Sequence, residues 1–315
     1  MISLEKAAQK IIQCMNIKKE EKVLIIIDKN TLKIGRAIEK ESLKITSTKL
    51  LEIPIGKQHG EEPPKNIAEI MKLFDVIIIP TTMSLSHTAA RREANETGAR
   101  ISTLPGVTEE MLCRTMEADY GKIARRTDVL SSILDEAKEV VVTTEKGTNI
   151  TMSIEGRKCV RDIGLIHAKG DFSNLPAGEA CLAPLEGKSN GTFIVDASFS
   201  GIEKIDSDIK ITVKDGIATK IEGKAAAKQL LRMLTVAGKG AFNIAELGIG
   251  TNDKAKITGN VLEDEKVMGT AHIALGNNKS FGGKIDIPIH LDGIFYKPTI
   301  VVDGKKIMDN GKLMI

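Results

Sequence analysis

Val23-Leu24-Ile25-Ile26-Ile27, closed by Asp28, is a continuous aliphatic run with no polar alternation. Five such residues are too few for a helix and read as a strand buried on both faces, the texture of a parallel sheet. Val76-Ile77-Ile78-Ile79, stopped by Pro80, repeats the pattern. Around these two runs the apolar period becomes helical, first over residues 4–15 (Leu4, Ala7, Ala8, Ile11, Ile12, Met15). Further helices are predicted over 32–44, 65–74, 86–97, 105–116 and 123–137, with further strands at 49–55 and 100–103. This order predicts an open parallel sheet with helices on both faces, an α/β half spanning residues 1–137. The turn after the first strand is Asp28-Lys29-Asn30-Thr31, without the glycines that a Rossmann or Walker phosphate loop needs. The half therefore reads as a scaffold or substrate-access domain. Thr81-Thr82-Met83-Ser84, beyond the third strand, reads as a turn that could also face a ligand.

From residue 138 the texture changes to short strands and tight turns. Val140-Val141-Val142 and residues 150–154 flank Glu145-Lys146-Gly147, residues 209–213 and 217–221 flank Lys214-Asp215-Gly216, and residues 299–302 and 306–308 flank Asp303-Gly304. Each is a hairpin signal, and the Asp-Gly pairs favour the positive φ of such turns. One helix is predicted, over 225–235. Residues 138–315 thus read as a mostly antiparallel α+β domain. Glycine follows the same division, with eight in residues 1–163 and twenty in residues 164–315.

Composition narrows the function. The chain of 315 residues is 42% apolar and 28% charged, as in a soluble globular protein rather than a disordered or collagen-like one. Nine aromatics and no tryptophan argue against a stacking reader of single-stranded nucleic acid. A net charge of +3, with the signs interspersed, gives no reason to expect a polyanion partner. Cys14, Cys113, Cys159 and Cys181 lack both the dense spacing of a disulfide scaffold and the paired spacing of a thiolate metal site. No run is long enough to cross a bilayer, and the first ten residues are polar and helical. A reduced, cytoplasmic protein is expected.

Chemistry is concentrated in a few residues of the glycine-rich half. His290 and Asp292 stand two apart in Ile287-Pro288-Ile289-His290-Leu291-Asp292-Gly293, so on a strand they share a face. They could ligate an ion, or simply hydrogen-bond to one another. His272, in Gly269-Thr270-Ala271-His272-Ile273-Ala274, is either a ligand or a satisfied core histidine. Glu246 and Glu179 are single carboxylates among small and apolar residues, which reads as burial against a cation or as loop exposure. His59 and His87 read as surface residues, and His167, just before a loop, carries no argument alone. Two imidazoles with three carboxylates suit Zn, Co, Mn or Fe rather than Ca or Mg, and such a set can hold two ions.

At these residues the sequence resembles the aminopeptidase T family, the thermophilic metallo-aminopeptidases. The matching stretches are residues 174–184 (NLPAGEACLAP), 245–252 (AELGIGTN), 264–276 (DEKVMGTAHIALG) and 281–292 (FGGKIDIPIHLD). The resemblance implies two neighbouring divalent ions, a homodimer, and metal ligands at Glu179, Glu246, His272, His290 and Asp292. Glu265 matches an acidic position with the role of ligand, acid/base or supporting partner, or else lies on a solvated surface. The expected activity is a hydrolase, a metallo-aminopeptidase that removes N-terminal residues from peptides. In it metal-activated water attacks and Glu179 or Glu265 moves the proton. Two departures stand out: Asn277-Asn278-Lys279-Ser280 replaces a family tyrosine, and the segment between His272 and His290 is short. A related branch resembles mononuclear iron dioxygenases that cleave dihydroxypyridine rings, and this sequence holds those ligands too. A non-catalytic metal-binding homologue is the third alternative.

Overall fold

The computed structural model describes residues 1–315, which form two compact units: residues 1–124 with 163–177, and residues 125–162 with 178–315. In the first, β1 (Val23–Ile27), β2 (Thr48–Glu52), β3 (Val76–Ile79) and β4 (Arg100–Thr103) are parallel neighbours in the order β2-β1-β3-β4. The helices α1 (Leu4–Cys14), α2 (Leu32–Ser42), α3 (Lys65–Met71), α4 (Ala89–Glu96) and α5 (Glu109–Thr115) alternate with them as the periodicity predicts. Every residue of β1 and β3 is buried, which is why both lack polar alternation. Asp28, at the end of β1, is also buried. Its carboxylate accepts bonds from Asn30 N, Thr82 N and Thr82 Oγ1, so it is spent on the turns.

A longer helix, α6 (Tyr120–Glu136), runs from the first unit into the second. It leads to β5 (Glu139–Thr143), β6 (Asn149–Ser153) and β7 (Val160–Asp162). The chain then returns to the first unit for β8 (Phe172–Asn174), which adds a parallel fifth strand beside β4. Sequence reading misses this strand, because three residues carry no measurable periodicity.

The rest of the second unit comprises β9 (Glu179–Leu182), β10 (Ser189–Val195), β11 (Ser198–Phe199), β12 (Glu203–Lys204), β13 (Ile209–Lys214), β14 (Ile217–Glu222), α7 (Ala225–Ala237), β15 (Ile244–Gly250), α8 (Val261–Asp264), β16 (Thr270–Gly276), β17 (His290–Tyr296), β18 (Thr299–Val302), β19 (Lys305–Asp309) and β20 (Lys312–Leu313). The three predicted hairpins are β5-β6, β13-β14 and β18-β19. They lie in an eight-stranded sheet of order β14-β13-β10-β6-β5-β18-β19-β20. A seven-stranded sheet, β12-β11-β17-β16-β15-β9-β7, is the second layer. One apolar cluster joins the two layers, taking Val140, Ile150, Phe193 and Ile211 from the first and Leu182, Leu247, Ile273, Leu275 and Phe295 from the second. The architecture is α/β plus α+β. All four cysteines are free, and no helix is long and apolar enough to cross a membrane.

Candidate metal centre

Strand register explains how the predicted residues meet. Along a strand alternate side chains share a face, and directly paired residues on neighbouring antiparallel strands point the same way. Across the seven-stranded sheet, Glu179 pairs with Gly250, Gly248 with His272, Glu246 with Ala274, Ala274 with Asp292, and Gly276 with His290. All five predicted ligands therefore stand on one face of β9-β15-β16-β17, and each stands opposite a glycine or an alanine. The register shift between Ile244 and Glu246 aligns Glu246 with Ala274. The intervening residues Leu247, Ile249, Ile273, Leu275 and Leu291 point the other way, into the apolar cluster.

The small residues are required by volume. A Cβ on Gly248 would lie 2.0 Å from His272 Nε2, so the imidazole lies across the glycine backbone. A Cβ on Gly250 would lie 2.1 Å from the Val267 carbonyl oxygen, so residues 266–267 pass directly over β15. In the fold these glycines admit a ring and a segment of chain.

Two clusters form around a shared carboxylate. Glu179, Glu246 and His272 bring three ligand atoms within 4.8 Å of one another, and so do Glu246, His290 and Asp292. His290 Nε2 lies 2.9 Å from Glu246 Oε2 and 3.1 Å from Asp292 Oδ1. His272 Nε2 lies 3.5 Å from both Glu179 Oε2 and Glu246 Oε1. His290 Nδ1 stands 2.6 Å from the Asn277 carbonyl, which can only accept, so Nδ1 carries the hydrogen and Nε2 faces the carboxylates. The Phe281 ring stacks on His290 with centroids 5.0 Å apart. Ser200 Oγ donates to Asp292 Oδ2 at 3.1 Å.

The sequence did not point to Lys266, which is fully buried among acids. Its Nζ lies 2.6 Å from Glu179 Oε1, 2.7 Å from Glu265 Oε1 and 2.9 Å from Asp162 Oδ2. Glu265 thus sits beside Lys266 and belongs to neither ligand cluster. Within an Asp-Glu-Lys run, both residues look like ordinary surface charges. His59 and His87 are exposed, as expected, and so is His167.

The electrostatics are those of buried acids and imidazoles that hold one another charged. Burial alone would raise the Glu246 carboxyl, but hydrogen bonds and charge from His272 and His290 outweigh it and hold the group far below its usual range. Burial would likewise lower His272, yet Glu246 and Glu179 raise it to about 9. His290 is raised well above its ordinary value because Asp292 and Glu246 overcome its desolvation. Burial raises Glu265 to about 8 despite the neighbouring Lys266. Protons on the imidazoles here do what a bound cation would do, since ligation requires neutral imidazole. Glu179 Oε2 and His272 Nδ1 are buried without a hydrogen-bond partner. Such orphaned atoms are costly unless something further binds. The donor set of imidazole nitrogens and carboxylate oxygens fits a first-row divalent transition metal, iron included.

The fold and this donor set define a protein with one α/β unit and one mostly antiparallel α+β unit, the latter carrying histidine–carboxylate clusters of a kind that could hold a metal ion. A family model described as NicX, 2,5-dihydroxypyridine 5,6-dioxygenase, matches residues 4–315, and the chain belongs to that family. Among solved structures it is similar to the 2,5-dihydroxypyridine dioxygenase from Pseudomonas putida KT2440, with TM-score 0.85 and 18% identity over 99% of this chain and 96% of that one. It is also similar to AmpT from Thermus thermophilus, with TM-score 0.70 and 14% identity over 99% of both chains. No curated protein matches it.

These findings correct the expected activity. The aminopeptidase resemblance holds for the fold, but the family model and the higher structural similarity belong to the dioxygenase. The hydrolase, metalloprotease and proteolysis readings are withdrawn with it, together with a peptide substrate. The reason lies in the motifs: a shared donor set marks a metal centre without specifying whether water or dioxygen reacts there.

Proposed function

We propose that this protein is an iron-dependent dioxygenase that opens the ring of a dihydroxylated pyridine. The observation that carries the reading is the convergence of His272 and His290 with Glu246 and Asp292 on one buried sheet face, in a chain of the NicX family. Two imidazoles with carboxylate are the ligand type of non-haem ferrous oxygenases. His272, His290, Asp292 and Glu246 would hold the ion, with Glu179 beside them. Ferrous iron supplies, when bound, the redox chemistry that lets dioxygen react with an electron-rich ring.

The chain's own residues do the rest. Asn277 O fixes the His290 tautomer, and Phe281 holds the plane of its ring. Ser200 orients Asp292 through Oδ2 and leaves Oδ1 facing His290. Glu265, raised to about 8 by burial, keeps a proton on its carboxyl at neutral pH, 2.7 Å from Lys266 Nζ.

The test is anaerobic loading with Fe(II), followed by oxygen uptake with 2,5-dihydroxypyridine. One O₂ consumed per ring opened is expected, with both labelled atoms of ¹⁸O₂ recovered in the product by mass spectrometry. Iron-loaded protein that neither consumes oxygen nor opens any dihydroxypyridine ring would sink the reading.

A further inference from the structure

We propose that Arg91, with the Asn174 amide beside it, forms a binding site for a small organic carboxylate in the parallel-sheet unit. This is a second site, and it does not depend on the reading of the metal centre. Five arginines are buried or half-buried, and four of them meet an acid. Arg100 pairs with Glu21 at 2.7 Å, Arg114 with Glu110 at 2.9 Å, Arg126 with Asp253 at 3.3 Å and Arg157 with Glu186 at 2.6 Å. Arg91, half-buried on α4, meets none; its guanidinium carbon lies 4.1 Å from the centroid of the Phe172 ring. A cation taken from water without an anion is costly, and an aromatic face offsets only part of that cost.

The bonds that Arg91 makes leave one edge of its fork open. Nε donates to Ser86 O at 2.7 Å, and Nη1 donates to Asn95 Oδ1 at 3.1 Å. One hydrogen on Nη1 and both on Nη2 remain, on the pair of nitrogens that takes a carboxylate end-on. Phe172 and Asn174 stand two apart on β8, so their side chains share the face that Arg91 covers, about 7 Å from one another. Across the sheet Thr103 pairs with Asn174. Thr103 Oγ1 donates to Asn174 Oδ1 at 3.3 Å, and Ser86 Oγ meets Thr103 Oγ1 at 2.7 Å. The amide is thereby oriented, with its oxygen engaged and its Nδ2 hydrogens available.

Charge and shape select the ligand. Burial lowers the Arg91 guanidinium to about 10, so it stays protonated at neutral pH, and Arg92 adds to the positive field. The first turn of α4 offers no further donors. Glu62 already takes Ala89 N and Ala90 N, at 2.5 and 3.1 Å, and Thr88 Oγ1 takes Arg91 N. Residues 80–88, between β3 and α4, contain no glycine, so the converging backbone donors of a phosphate cradle are missing. A planar monoanion matches a planar fork of one charge, and the amide suits an acceptor elsewhere on the molecule. Thr103 and Asn174 end β4 and β8, at the carboxyl edge where open α/β sheets carry their ligands.

Titration with acetate, benzoate, acetamide and inorganic phosphate decides it, read by nuclear magnetic resonance on the full chain labelled with ¹⁵N in arginine and asparagine. The Arg91 Nε and Asn174 Nδ2 signals are assigned by their loss in Arg91→Lys and Asn174→Asp. Both should shift saturably with either carboxylate and stay still with acetamide. Arg91→Lys keeps the charge without the fork and should weaken binding by about tenfold or more. Asn174→Asp sets a carboxylate where the ligand's would lie and should abolish binding. Shifts that grow without saturating, undiminished affinity in Arg91→Lys, or saturation by phosphate and by neither carboxylate overturn the proposal. If Arg91→Lys fails to fold, Asn174→Asp still decides, since saturable carboxylate binding in that protein overturns it too. Carboxylate captured at the metal centre alone would move neither signal and counts against the site.

Discussion

In the five-stranded parallel sheet, β1 and β3 are buried at every position, and their nine residues are all aliphatic. In the seven-stranded antiparallel sheet, β15 and β16 are also buried at every position, yet they carry Glu246 and His272. Full burial is reached by opposite means. The parallel sheet places branched side chains on both faces. The antiparallel one places Leu247, Ile249, Ile273 and Leu275 on one face and glycine, alanine and the ligands on the other. The comparison teaches that Gly248, Gly250, Ala274 and Gly276 form the floor of a site, with the His272 ring lying over Gly248 and backbone passing over Gly250 and Gly276.

The largest expected effect breaks that floor. Gly248→Ala puts a methyl group 2.0 Å from His272 Nε2, against a ring enclosed on every side. Overpacking of this kind typically costs about 1–3 kcal/mol. Here relief requires the imidazole to move, so metal binding should be lost from a protein that still folds. Elemental analysis after Fe(II) loading checks it; wild-type iron content in Gly248→Ala would show that the ring does not depend on the glycine.

The parallel sheet should respond in the reverse way. Ile25 is fully buried in the middle of β1, between β2 and β3, and far in sequence from every ligand. Ile25→Ala should cost about 2–5 kcal/mol of stability, the range for a large aliphatic group deleted from a close-packed core. Its iron content, measured on the folded fraction, should match the unmodified chain. Denaturant titration with metal analysis reads both quantities. An unchanged midpoint would contradict close packing on both faces of β1.

The same contrast sets how much of the molecule can be read in advance. Aliphatic runs buried on both faces announce themselves, so β1 and β3 emerge with their observed limits. Histidine is scarce, and His272 and His290 in apolar surroundings draw attention for that reason. Lys266 and Asp162 do not, because a charged residue buried by others far away in sequence has the local pattern of a surface charge. β8 is too short to show a period. The reaction was illegible for another cause: imidazoles and carboxylates serve hydrolytic and oxidative centres alike, and the difference lies in what surrounds them.

The smallest effect lies at the edge of the site, where residues 277–289 carry Phe281 and Asn277 to His290. That segment is tied down by Glu186. Its Oε1 accepts from Lys284 N at 2.7 Å and Asn278 Nδ2 at 2.8 Å, and its Oε2 takes Arg157 Nη2 at 2.6 Å. Arg157 Nη1 also donates to the Gly282 carbonyl. Burial pushes the Glu186 carboxyl up, but these bonds and the arginine charge prevail and bring it down to about 2. A carboxyl depressed in the folded state stabilises it above the unfolded value, near 4.5, and that contribution fades as pH falls toward 2. Glu186→Gln keeps an acceptor oxygen but cannot titrate. Between pH 5 and 2 its stability should therefore fall less steeply than that of the unmodified chain, while at pH 7 it should be the less stable of the two. Urea midpoints measured across that window give the difference directly, and parallel curves would mean that the Arg157–Glu186 pairing does not hold the segment against His290.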